Sequence, residues 1–89
     1  MQYSFKICEA LLPHDITGNE MLSIRRELQT RIGYAKTLLK QHQIDFAEPR
    51  TVSEFGFASE EIWSVHIDFF SAEDYALARL LLDHAVREN

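Results

Sequence analysis

The chain carries a single cysteine, Cys8, among its 89 residues. No intramolecular disulfide can form, and secreted domains of this size usually depend on one, so a reducing, cytoplasmic setting is expected. Only three glycines and two prolines punctuate the chain. The glycines Gly18, Gly33 and Gly56 stand apart, so no glycine-rich phosphate loop is encoded. Long apolar runs are lacking too. The longest aliphatic stretch is Leu80 to Leu82, and Lys6 and Glu9 break the amino-terminal segment, so neither a signal peptide nor a transmembrane helix is expected. With no repeat, low-complexity tract or linker, one domain over 1–89 is expected.

Positive charge is in short supply. Nine Lys and Arg face fourteen Asp and Glu, for a formal net charge of −5. Phosphate neutralisation supplies most nonspecific nucleic-acid affinity, so DNA or RNA is an unlikely class of partner. The imbalance is uneven along the chain. Through Gln43 there are six Lys and Arg against four Asp and Glu, and from Ile44 onward three against ten.

What the chain does contain is core material: 46 % hydrophobic residues, 11 % aromatic, and 26 % charged. That balance belongs to a folded domain. At this length about 60 to 65 % of the unfolded surface is buried, enough for one core. Tyr3, Phe5 and Ile7 alternate with Ser4, Lys6 and Cys8, which predicts a strand over 2–11 with one covered face. Thr17-Gly18-Asn19-Glu20 matches a capping box, and a helix over 19–42 follows. Its stripe is Met21, Ile24, Leu28, Ile32, Ala35 and Leu39. Strands are predicted over 51–58, weakened by Gly56, and over 61–70, where Trp63, Val65, Ile67 and Phe69 alternate with Ser64, His66 and Asp68. Ser71 to Asp74 forms a second capping signal, and a helix runs on to about 87, with Tyr75, Ala78, Leu82, Ala85 and Val86 as its main stripe.

The fold class is therefore α+β: β-α-β-β-α, a three-stranded sheet with two helices on one face, ferredoxin-like but lacking the last strand. Strand one is expected beside strand three, parallel to it. Its other side is left as a sheet edge open to strand addition, with Lys6 and Glu9 placed to discourage that.

The polar sheet face carries the residue types that chemistry needs. His66, Asp68, Ser4, Lys6 and Cys8 are predicted to share it, but no motif fixes them as nucleophile, base and orienting group, and no catalytic residue is assigned. The four histidines, His14, His42, His66 and His84, show no ligand spacing with Cys8 or with one another, so neither a metal nor a cofactor is expected. RNA recognition needs aromatics on the open sheet face. Tyr3, Phe5, Trp63 and Phe69 fall on the face toward the helices, with Phe55 and Phe57 predicted to join them.

Two surplus surfaces remain. Arg25, Arg26, Lys36 and Lys40 lie within about 100° of arc on one flank of the first helix, a basic stripe suited to an acidic partner. On the last helix Leu77, Leu80 and Leu81 extend apolar character beyond what one sheet can cover. The first helix could absorb Leu77 or Leu81, while Leu80 would stay exposed, and the three are candidate dimer contacts.

The segment Glu27-Leu28-Gln29-Thr30-Arg31-Ile32-Gly33-Tyr34-Ala35, with the order of elements, resembles the first helix of the DNA-damage-inducible protein I family, small bacterial regulators of the recombinase filament. That family's strongly acidic last helix is missing, since Arg79 and Arg87 interrupt the acids, so recombinase binding is not carried over. Lys36 to Phe46, Trp63-Ser64-Val65 and Asp74 to Leu82 are similar to short prokaryotic signal-transducing domains of half-ferredoxin type. Neither resemblance brings a chemical motif with it. The function expected from the residues is a non-enzymatic interaction or regulatory module, homodimeric, docking an acidic partner through the basic flank. The alternative is a small-molecule sensor with its site at a sheet-helix or dimer interface.

Overall fold

In the computed structural model the backbone is described for residues 3–87 and side chains for 3–83. The predicted stripe residues Ala85 and Val86, and His84 of the histidine inventory, thus have side chains outside the described residues, as does the first residue of the predicted opening strand. The elements run β1 (Tyr3–Leu12), α1 (Gly18–Gln41), β2 (Arg50–Phe55), β3 (Glu61–Phe69) and α2 (Ala72–Arg87). This is the expected β-α-β-β-α order, with a three-stranded sheet of order β1-β3-β2.

Both helix starts follow from their capping residues. The Glu20 amide donates to Thr17 Oγ1 at 3.2 Å, and the Thr17 hydroxyl donates to the Glu20 carboxylate at 3.1 Å. Ser71 Oγ accepts from the Asp74 amide at 3.2 Å in the same way. Helix α1 ends without glycine. Gln43 adopts the left-handed region (φ 56), its amide reaches the Lys40 carbonyl at 3.1 Å, and the Ile44 amide reaches that of Leu39 at 3.0 Å. These two bonds satisfy carbonyls that the helix end would otherwise orphan, and they fold Ile44 back into the core.

The core lies between the sheet and the helices. Leu28, Ala35 and Leu39 bury the α1 stripe, Ala78 and Leu82 that of α2, and Val65, Ile67 and Phe69 the facing side of β3. Tyr75 of α2 packs its ring 5.7 Å from that of Tyr3 and 6.1 Å from that of Phe69, tying the last helix to β1 and β3.

Three expectations are corrected. Strand β1 pairs with β3 antiparallel, not parallel. The crossover through α1 joins β1 to β2. Since β3 folds back from β2 and inserts between the two, it runs opposite to both. The second correction is a β-bulge. Lys6 opposes His66 but Cys8 opposes Val65, so Ile7 is an extra residue. An extra residue inverts the alternation beyond it. Cys8 therefore turns to the helices, only 7 % exposed and packed in the core with Ile7, while Glu9 and Leu11 take the outer face. Burial raises the Cys8 thiol pKa, with Arg31 opposing that shift and Glu27 adding to it.

The third correction concerns the cover expected over Phe55 and Phe57: Phe55 does lie on the face of Trp63, but no helix reaches it. Strand β2 ends at Phe55, and Phe57 sits in the hairpin loop, closed by the Gly56 amide on the Glu60 carbonyl at 2.9 Å with Ser59 at φ 63. Both rings are exposed, Phe55 to 76 %. The cause is the placement of the helices, which pack toward β1 and leave β2 uncovered. The radius of gyration, 14.2 Å, accordingly exceeds the roughly 12 Å of a compact domain of this length.

Candidate functional site

Because α1 does not extend over β2, an open groove of about 730 Å3 separates the helix from that side of the sheet. One wall is the α1 flank Leu22, Arg25, Arg26 and Gln29, and the floor is Thr51 of β2 and Trp63 of β3. Trp63 alternates with Ser64, and its face is the one that α1 and α2 cover elsewhere. Thr51, Ser53 and Phe55 share that face and are exposed.

Two members of the predicted basic flank, Arg25 and Arg26, line this groove. The Arg25 guanidinium carbon stands 5.6 Å from the centre of the Trp63 ring, a cation–π contact that holds the charge above an apolar floor. Among the described residues neither arginine has a carboxylate within ion-pair distance, and neither does Lys40 in the last helical turn. Lys36 differs. Its ammonium donates to Glu48 at 2.8 Å, so part of its charge is met by the acidic second half of the chain. The stripe read from the helical wheel is thus divided by the loop that follows α1.

Two residues before Trp63 on β3, the Glu61 carboxylate accepts from the Ser53 hydroxyl at 2.5 Å. That bond, with a second from Trp63, holds its pKa below the ordinary carboxylate value. Leu22, 52 % exposed, adds apolar surface at the helix start. Strand alternation places Trp63 on a covered face, which hides it as a groove residue, and Leu22 falls outside the apolar stripe of α1.

Leu81 packs against the core, Leu77 is 43 % exposed and Leu80 73 % exposed. On the polar sheet face Cys8 is not brought to His66 and Asp68, since the bulge turns it to the opposite side. Asp68 accepts from Arg50 Nε at 3.0 Å, and Arg50 also reaches Ser4 Oγ at 3.3 Å, so a strand-to-strand clasp occupies the carboxylate. The Arg50 hydrogen bond is the largest cause of a lowered Asp68 pKa, which desolvation opposes. Arg50 was not singled out in the sequence, because its partner became visible only with the β2–β3 register. Lys6 pairs with Glu9 at 2.9 Å on the same face.

Among the described residues no three His, Cys, Asp or Glu side chains converge as metal ligands, and no helix is long and apolar enough to cross a membrane. No protein-family model, curated protein or solved structure matches the chain.

Proposed function

We propose that this protein is a non-enzymatic interaction or regulatory module, homodimeric, that docks an acidic partner segment in the groove beside α1. The observation that carries this reading is the pairing of charge with apolar surface. In a chain of net charge −5, Arg25 and Arg26 border Trp63 and Leu22 and are without a carboxylate partner among the described residues. Guanidinium groups bind carboxylates through paired donors, and a half-buried indole supplies desolvated contact area. Lys40 extends the field along the helix, and Lys36 joins it by exchanging Glu48 for a partner acid.

The groove also falls in the size range of small-molecule sites. That favours a sensor of an aromatic or aliphatic anion as the second reading.

Trp63 is the only tryptophan, so its emission reports the groove directly. Acidic amphipathic peptides, alternating Glu or Asp with Leu and Phe, are titrated while emission is followed in low and high salt. Docking predicts saturable binding that weakens with salt and is lost in the Arg25→Glu/Arg26→Glu variant. Binding that persists in that variant, or no binding by any such peptide, sinks the reading. Thermal stabilisation by small anions alone transfers the groove to the sensor.

A further inference from the structure

The free edge of β1 is a second surface without a partner. The strand is ten residues long and hydrogen-bonds to β3 on one side only. Among the described residues nothing pairs with its other side. An open edge of this length ordinarily recruits another strand. The pattern of faces along β1 shows which strand fits.

Antiparallel neighbours placed opposite each other share a face of the sheet. In a strand of strict alternation, a two-fold axis midway between consecutive residues would oppose unlike faces. The bulge changes that for β1. Ile7 and Cys8 both turn to the core, Lys6 and Glu9 flank them on the outer face, Phe5 and Ala10 come next toward the helices, and Ser4 and Leu11 are outermost again. The strand is face-symmetric about the midpoint of Ile7 and Cys8. Each strand brings the same two bulge residues to that midpoint, so the residue counts match.

The charges have the same symmetry. About that axis Lys6 of one chain stands opposite Glu9 of the other, twice per pair of chains. Within one chain these two already bond at 2.9 Å, about half exposed, so each has only to exchange an intrachain partner for its equivalent. On α2, which packs on β1 through Tyr75 and Tyr3, Arg79 stacks on Tyr75 at 5.6 Å, and Asp83 lies one turn on along the same flank. Two α2 helices set antiparallel by the axis would bring Arg79 toward Asp83 of the second copy. Leu80 faces solvent opposite the buried Ala78 and Leu82 stripe, about 60° round the helix from Asp83 and 100° from Arg79, so it borders this contact without forming it.

We propose that β1 pairs with β1 of a second copy about a two-fold axis between Ile7 and Cys8, giving a six-stranded sheet closed by reciprocal Lys6–Glu9 ion pairs. This rests on the self-association part of the reading above and assigns it to the strand edge instead of Leu77, Leu80 and Leu81. The pairing joins each groove to one rigid sheet, so an acidic partner carrying two docking segments would meet two equivalent sites.

The test is sedimentation equilibrium of the intact chain from micromolar to millimolar concentration, with circular dichroism to verify folding. A dimer is expected. Lys6→Glu places like charges opposite each other twice and weakens it roughly tenfold or more, and Lys6→Glu/Glu9→Lys restores it. Leu80→Lys leaves it unchanged. A mixture of Lys6→Cys chains and Glu9→Cys chains, each in a Cys8→Ala background, is expected to form the mixed interchain disulfide on mild oxidation. Lys6 and Glu9 of one chain face β3 residues only two apart, so the two cysteines are kept on separate chains and the bridge between them can only be interchain. A monomer at every concentration, a dimer lost in Leu80→Lys but kept in Lys6→Glu, or absence of the disulfide-linked dimer overturns the proposal. The Trp63 titration is scored separately, so a monomer that still binds acidic peptide discards this pairing and leaves groove docking standing.

Discussion

Deleting Ile7 should leave the protein folded, because it is the residue that the bulge accommodates. Lys6 opposes His66 and Cys8 opposes Val65, so Ile7 has no counterpart of its own on β3. Without it the ladder would run uninterrupted from Lys6 to Cys8 to Glu9, and no other side chain would change face. What is lost is the packing of a side chain that is 5 % exposed. Removing a buried isoleucine costs about 2 to 5 kcal/mol. At typical stabilities per residue, a chain this long has roughly 4 to 13 kcal/mol to lose. Urea unfolding followed by Trp63 emission should show a single cooperative transition whose midpoint falls by about 1 to 5 M, for a slope of about 1 to 1.5 kcal/mol/M. Ile7→Ala should fall by a similar amount. Deleting His66 from β3, where there is no extra residue to absorb the loss, should abolish cooperative unfolding, because one half of that strand would turn its buried Val65 or Ile67 outward. The reasoning is refuted if the Ile7 deletion unfolds the protein while Ile7→Ala stays folded.

Asp68→Asn should destabilise the protein by up to about 1 kcal/mol at neutral pH, since the Arg50 partner is half exposed and screened by solvent. The folded-state pKa of Asp68 is lowered. The stabilisation is therefore present above the unfolded aspartate value of about 3.9 and lost as pH falls through the lower folded value. Thermal melts of the two proteins should converge in acid, and a difference that persists there would refute the assignment. Gln43→Gly should raise stability by about 0.5 to 1 kcal/mol, because Gln43 holds a left-handed conformation that costs a side-chain-bearing residue more than glycine. Denaturation midpoints would show this, and a loss of stability would mean that the Gln43 side chain contributes something its backbone does not reveal.

Much of the fold was legible because local rules and the tertiary fold agree. Thr17 and Glu20, and Ser71 with Asp74, mark two helix starts whose hydrogen bonds are local. The α1 stripe through Leu28, Ala35 and Leu39 follows from helical periodicity alone, as does the alternation of Val65, Ile67 and Phe69 in β3. The end of α1 was legible to within one residue, but not the way it closes, since Gln43 performs a role that composition usually assigns to glycine. The divided basic flank was half visible: spacing along one helix grouped Arg25, Arg26, Lys36 and Lys40, but it could not show that Glu48 would fold back onto Lys36.

By itself the sequence determined the element order, the two capped helices and the single covered face of β3, because each depends on residues a few positions apart. Only the tertiary structure decided the bulge at Ile7 that buried Cys8, the antiparallel pairing of β1 with β3, and the uncovered β2 that opened a groove between Trp63 and Arg25. Those depend on which strand lies beside which and on where a helix stops covering a sheet. Both are set by contacts between residues far apart in the chain, which periodicity along a single element does not encode.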